Sequence, residues 1–192
     1  MFFKDQNTNL FQTLAPIIGD VYQWGKAYLQ KMMKPGMYEV LSYDSTLEIL
    51  DPEGKEAVFQ KTEVIRFLQD NIIAFQDQAW GDGKILQDYQ CSPGVPVDFY
   101  RTGHKTFILI SLREIKNKDD QLTMNFQWKI KDGFLTPDGY WGTAVNHSTR
   151  ILKVRIIFPK GRAPRQMKLL NPNNNKSIDF KKENLIQLPD KR

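Results

Sequence analysis

The chain has 192 residues, with 27 Lys and Arg against 22 Asp and Glu and 41% hydrophobic residues, enough apolar material for one core. Its single cysteine, Cys91, excludes an internal disulfide, and no apolar run is long enough to predict a membrane-spanning helix. No basic stretch followed by an apolar run opens the sequence, so the cytoplasm is the expected location.

The first expected element is a helix. Leu10, Leu14, Ile17, Val21, Trp24 and Tyr28 recur at spacings of four and three, an apolar stripe of helical period. Thr13 is a plausible N-cap, Pro16 fits a first turn, and Lys34-Pro35-Gly36 stops the helix. Residues 1–36 therefore read as an amphipathic segment. Its stripe either covers the domain's own core or mediates self-association, and its length is short for a coiled coil standing alone.

Residues 38–50 and 57–68 are rich in strand formers, and Asp51-Pro52-Glu53-Gly54 lies between them. Pro presets φ at the second turn position, Asp can bond the backbone from the first, and Gly closes the turn, which predicts a β-hairpin. Residues 62–75 could form a helix capped by Thr62, but Val, Ile and Phe dominate and Asp70-Asn71 interrupts the run, so strand is favoured.

From Lys84 onward strands and turns alternate. Trp80-Gly81-Asp82-Gly83 is a turn, and Ser92-Pro93-Gly94-Val95-Pro96 is a loop whose prolines exclude it from a central strand. Residues 106–115 form a long apolar strand, and 116–120 a polar turn. Leu122, Met124, Phe126, Trp128 and Ile130 alternate with Thr123, Asn125, Gln127 and Lys129. Leu152, Val154, Ile156 and Phe158 alternate with Lys153, Arg155 and Ile157, so the apolar set is expected in the core and the cations on the opposite face. This rhythm predicts a mainly β fold over residues 37–170. It is an antiparallel β-sandwich, immunoglobulin-like or related, without the cysteine pair that marks immunoglobulin domains. Residues 171–192 read as a polar tail or linker with at most one edge strand, over 178–180.

Charge is polarised along the chain. Residues 139–178 hold eight cations (Arg150, Lys153, Arg155, Lys160, Arg162, Arg165, Lys168 and Lys176) and no acid, while the remainder holds 19 cations and 22 acids. Lys153, Arg155, Lys160, Arg162, Arg165 and Lys168, with Trp141 in a glycine-flanked turn nearby, are the candidate binding residues. Arginine forks grip carboxylate or phosphate, whereas strand-edge cations can also serve only solubility and the blocking of edge pairing.

The expected function is a non-catalytic binding module that docks an acidic protein surface, or a larger assembly, through this basic face. Nucleic-acid or nucleotide binding through the same face is the alternative, although no RNP-like pattern, zinc-ligand spacing or helix-turn-helix is present. A small hydrolase is a third reading. Its candidates are Cys91 as nucleophile with His104 and Asp98, or His147 as an acid–base group, with Asp82, Asp88 and Glu114 as further carboxylates. Cys91 falls at a strand end, where nothing lowers a thiol pKa, and two histidines with no close third ligand make a poor metal site. The sequence calls for no cofactor.

Overall fold

The computed structural model describes residues 36–136, 141–142, 147–164, 168–171, 176–179, 186 and 188. The expected N-terminal helix, Arg165 and most of the 171–192 tail lie outside the described residues.

Side chains of a strand alternate between faces, so a strand with one apolar set must lay that set against a second layer. Eight strands satisfy this by forming two sheets. They are β1 (Tyr38–Ile49), β2 (Glu56–Phe67), β3 (Ile72–Ala79), β4 (Lys84–Ser92), β5 (Val95–Thr102), β6 (Lys105–Lys116), β7 (Gln121–Lys131) and β8 (Thr149–Ile157). The larger sheet has five strands in the order β4-β7-β2-β1-β8, and the smaller has three in the order β3-β6-β5. All pairs are antiparallel except β1 with β8, which run parallel. A short hairpin of β9 (Lys168–Asn171) and β10 (Lys176–Asp179) forms a separate two-stranded sheet. The strand expected near residue 178 is thus present, but it pairs with β9 and not with an edge of the large sheets.

The core fills the space between the two layers. Val40, Leu47, Phe59, Ile65, Phe67, Met124, Phe126 and Trp128 come from the large sheet, and Phe75, Ile108, Ile110 and Leu112 from the small one. The phase read from β7 holds: Met124, Phe126, Trp128 and Ile130 are all buried. Asn71, with φ of 61°, turns the chain between β2 and β3, so residues 62–75 are strand, turn and strand. Pro96 lies inside β5, which the sequence assigns to a loop; β5 tolerates it because it is an edge strand of the small sheet.

The β1–β2 turn is held from three sides. The Gly54 amide donates to the Asp51 carbonyl at 3.1 Å, and the Asp51 carboxylate accepts from the Lys55 and Glu56 amides at 3.1 and 2.7 Å. Arg162 then closes over the turn, donating to the carbonyls of Pro52 (3.1 Å), Phe134 (2.5 Å) and Thr136 (3.0 Å).

β8 departs from the sequence reading. Leu152, Val154 and Ile156 register with Tyr43, Ser45 and Leu47 of β1, so they do lie on the core side. They are nevertheless 48%, 41% and 36% exposed, and only Phe158 of that set packs against the core. The reason is width. Strands sit about 4.8 Å apart, so three strands cannot cover five. Contacts of Phe75 with Tyr38 and Phe126 centre the small sheet over β1, β2 and β7, and the last strand is left open.

Gly54 has φ of +75°, and a Cβ there would run into the Phe134 carbonyl and the Arg162 guanidinium. Gly54→Ala is expected to cost about 2 kcal/mol or more, because strain at positive φ adds to the overlap. Urea unfolding of the two proteins at equal m-value measures it.

Candidate functional site

Strand β2 carries two charged residues on its inner face. Lys61 and Glu63 fall in the same phase as Phe59 and Ile65, and both are buried. Asp77 of β3 meets them from the opposite sheet and is 2% exposed. Lys61 Nζ donates to Glu63 Oε1 at 2.8 Å and to Asp77 Oδ1 at 2.5 Å. The Tyr89 hydroxyl donates to Asp77 Oδ2 at 2.9 Å, and the Gln78 amide to Oδ1 at 2.8 Å. The ammonium also lies 4.4 Å from the ring centre of Phe126 and 5.8 Å from that of Tyr43. Burial alone would push the Lys61 pKa down, but the charges of Asp77 and Glu63 outweigh it and hold the amine protonated well above its usual range. A charged lysine is no nucleophile, so Schiff-base chemistry is not available to it.

A cavity of about 290 Å³ lies beside this cluster. Tyr38, Phe59, Phe75 and Trp128 give it aromatic walls, Glu63 and Asp77 supply acid, and Trp80, Trp141 and His147 stand at its edge. Tyr38 stacks on Phe75 at 5.1 Å and on His147 at 4.2 Å between ring centres. Its hydroxyl is pushed up in pKa by burial and then by Glu63. Burial lowers the His147 pKa despite the opposing pull of Glu63, which favours the neutral imidazole. Trp141 lies 5.6 Å from Phe59, partly buried against the core.

The sequence's basic residues meet varied partners. Arg155 donates to Asp44 at 2.5 Å and to Thr46 at 3.2 Å. Arg162 is engaged by the carbonyls of the β1–β2 turn and of residues 134 and 136. Lys168 pairs with Asp179 at 3.8 Å, and Arg150 with Glu39 at 3.1 Å. Lys153 and Lys160 are exposed with no ion pair among the described residues. β1 and β10 therefore supply acids to Arg150, Arg155 and Lys168, which residues 139–178 themselves lack.

Cys91 is half-buried near the end of β4, its thiol pKa raised by burial and then by the charge of Asp77. That is the reverse of what a nucleophile needs. It makes no side-chain hydrogen bond to His104 or His147 among the described residues, and His104 is exposed in the β5–β6 turn. Among those residues no group of three or more His, Cys, Asp and Glu side chains is placed to hold a metal ion. No helix among them is long and apolar enough to cross a membrane.

The Lys61–Glu63–Asp77 cluster was legible in principle. The alternation Ala57, Phe59, Lys61, Glu63, Ile65, Phe67 already places two charges at core positions. Its third member comes from another sheet, and no spacing along the chain announces it. No protein-family profile matches this chain, and no curated protein matches it in sequence.

Two outcomes test the cluster. Lys61→Met strands two buried carboxylates and is expected to cost about 3–5 kcal/mol, read by urea denaturation. The pKa values of Lys61, Tyr38 and Tyr89 are all raised by the fold. Their contribution is complete below their unfolded values and is lost as pH rises, so stability should hold from pH 7 to 9 and fall above about pH 10. Tyr89→Phe should flatten that fall, as followed by the urea midpoint against pH.

Proposed function

We propose that the protein is a non-catalytic binding module, and that it docks an acidic, extended segment of a partner protein along β8 and the loop that follows it. The observation that carries this reading is the state of β8 itself. It is the last strand of its sheet, paired only with β1 among the described residues. Its core-side face presents Leu152, Val154 and Ile156 exposed, and its other face carries Lys153. Lys160 follows in the next turn. Unpaired backbone groups on a strand edge can add a strand, with pockets for alternate side chains giving selectivity. A partner strand that alternates apolar and acidic residues satisfies all three features: edge hydrogen bonds, apolar contacts with Leu152, Val154 and Ile156, and ion pairs with Lys153 and Lys160.

Nucleic-acid binding through this surface lacks support from the aromatic residues. Single strands stack on exposed rings beside cations, whereas Trp128 is buried and Trp141 is folded onto Phe59. The hydrolase reading is weakened by the raised Cys91 pKa.

Fluorescence anisotropy with a labelled peptide of alternating valine and glutamate, set against a single-stranded oligonucleotide of equal charge, tests the proposal. The peptide is expected to bind, and Val154→Asp is expected to weaken it about ten-fold or more by placing like charge and lost apolar contact at the strand centre. Oligonucleotide binding that is tighter than peptide binding and falls steeply between low and moderate salt overturns the reading in favour of nucleic acid.

A further inference from the structure

The cavity between the sheets shares Thr149 and Leu152 with β8 but has its own chemistry. Two carboxylates, Glu63 and Asp77, share a single ammonium, so the wall carries one negative charge in excess. Asp77 accepts three hydrogen bonds, from Lys61, Tyr89 and the Gln78 amide. Glu63 accepts one from Lys61 on Oε1, while its Oε2 is not among the sealed-off side-chain atoms that lack a partner, so it stays open to the cavity that the residue lines. A carboxylate oxygen open to a cavity between sheets can accept from a ligand, and a charged donor there makes the stronger bond.

The remaining walls are ring faces. Tyr38, Phe59, Phe75 and Trp128 surround the space, and Trp141 borders it. The negative faces of aromatic rings attract cations, and the attraction grows when water is excluded. The protein itself already uses this contact twice nearby, with Lys61 over Phe126 at 4.4 Å and Lys105 over Trp80 at 5.0 Å. A volume of about 290 Å³ suits a ligand of one ring and a short chain.

We propose that this cavity is a binding site for a small organic cation, a protonated amine carried on an aromatic or apolar body. The ammonium donates to Glu63 Oε2 and the body lies among Tyr38, Phe59 and Trp128. An anionic ligand would meet the excess carboxylate, and a neutral isostere such as an alcohol would offer Glu63 Oε2 one uncharged donor in place of an ion pair.

A charge series on one skeleton decides it: phenethylamine, 2-phenylethanol and phenylacetate, titrated into the full chain by calorimetry and by quenching of tryptophan fluorescence. Phenethylamine is expected to bind about ten-fold or more tightly than the alcohol, with phenylacetate weakest. Glu63→Gln should remove the amine's advantage and leave the alcohol unchanged, and Trp141→Ala should weaken all three. Equal or tighter binding of the alcohol or the carboxylate overturns the proposal. So does absence of binding by all three at about 10 mM, or an unchanged amine affinity in folded Glu63→Gln. Should Glu63→Gln fail to fold, the charge series on the native chain still decides. Glu63 and Trp141 lie outside β8, and Val154, whose substitution tests the docking of an acidic strand, does not line the cavity, so failure here leaves that docking standing, and the reverse holds too.

Discussion

Everything in the interior is arranged around the burial of one lysine with two carboxylates between the sheets. A lone ammonium at that depth would lose its hydration with nothing in return, and it would shed its proton first. Asp77 from β3 and Glu63 from β2 prevent that, and Asp77 is in turn bonded by Tyr89 of β4. Three strands from both layers are thereby tied to one point. A purely apolar centre of equal volume is often as stable or more so, so stability alone does not explain the cluster. What it adds is register: a one-residue slip of β2 would turn Lys61 and Glu63 to solvent and put Gln60 and Thr62 inside.

The second organising fact is the unequal width of the two layers. A five-stranded sheet under a three-stranded one leaves strands beyond the overlap. On one side Tyr89 of β4 closes the gap by meeting Phe99 of β5 at 5.7 Å and Trp128 at 5.9 Å. On the other side β8 lies open, with core-phase side chains and no sheet above them among the described residues. The cavity and the exposed β8 face both follow from this mismatch, although they differ in kind: one is an open cavity walled by rings and acid, the other is an apolar strip bordered by lysines.

Electrostatics connects the two halves of the sequence. The acid-free stretch from residue 139 to 178 is neutralised in part, because β1 lies beside β8 and lends Asp44 to Arg155 and Glu39 to Arg150. Arg162 serves the chain's own carbonyls, stapling the residue 134–136 segment onto the first hairpin. Cations that look alike in sequence therefore divide into structural ones and exposed ones, with Lys153 and Lys160 in the second group.

Local patterns in the sequence determined the strands, the Asp51–Gly54 turn, the inward phase of β7 and the strand-end position of Cys91. Each depends on a period of two or on a turn residue's own φ preference, and both act over a few neighbours. The same period placed Lys61 and Glu63 inward, and it assigned Leu152, Val154 and Ile156 the correct face. Whether a face is covered is another matter, because it depends on how many strands the opposite sheet has and where it sits. Tertiary structure alone decided that β8 would lie parallel to β1 at an open edge, that Asp77 would reach Lys61 across the core, and that Arg155 would find Asp44. These pairings join residues far apart along the chain, and no local preference encodes the distance between two residues that meet only when separate sheets close on each other.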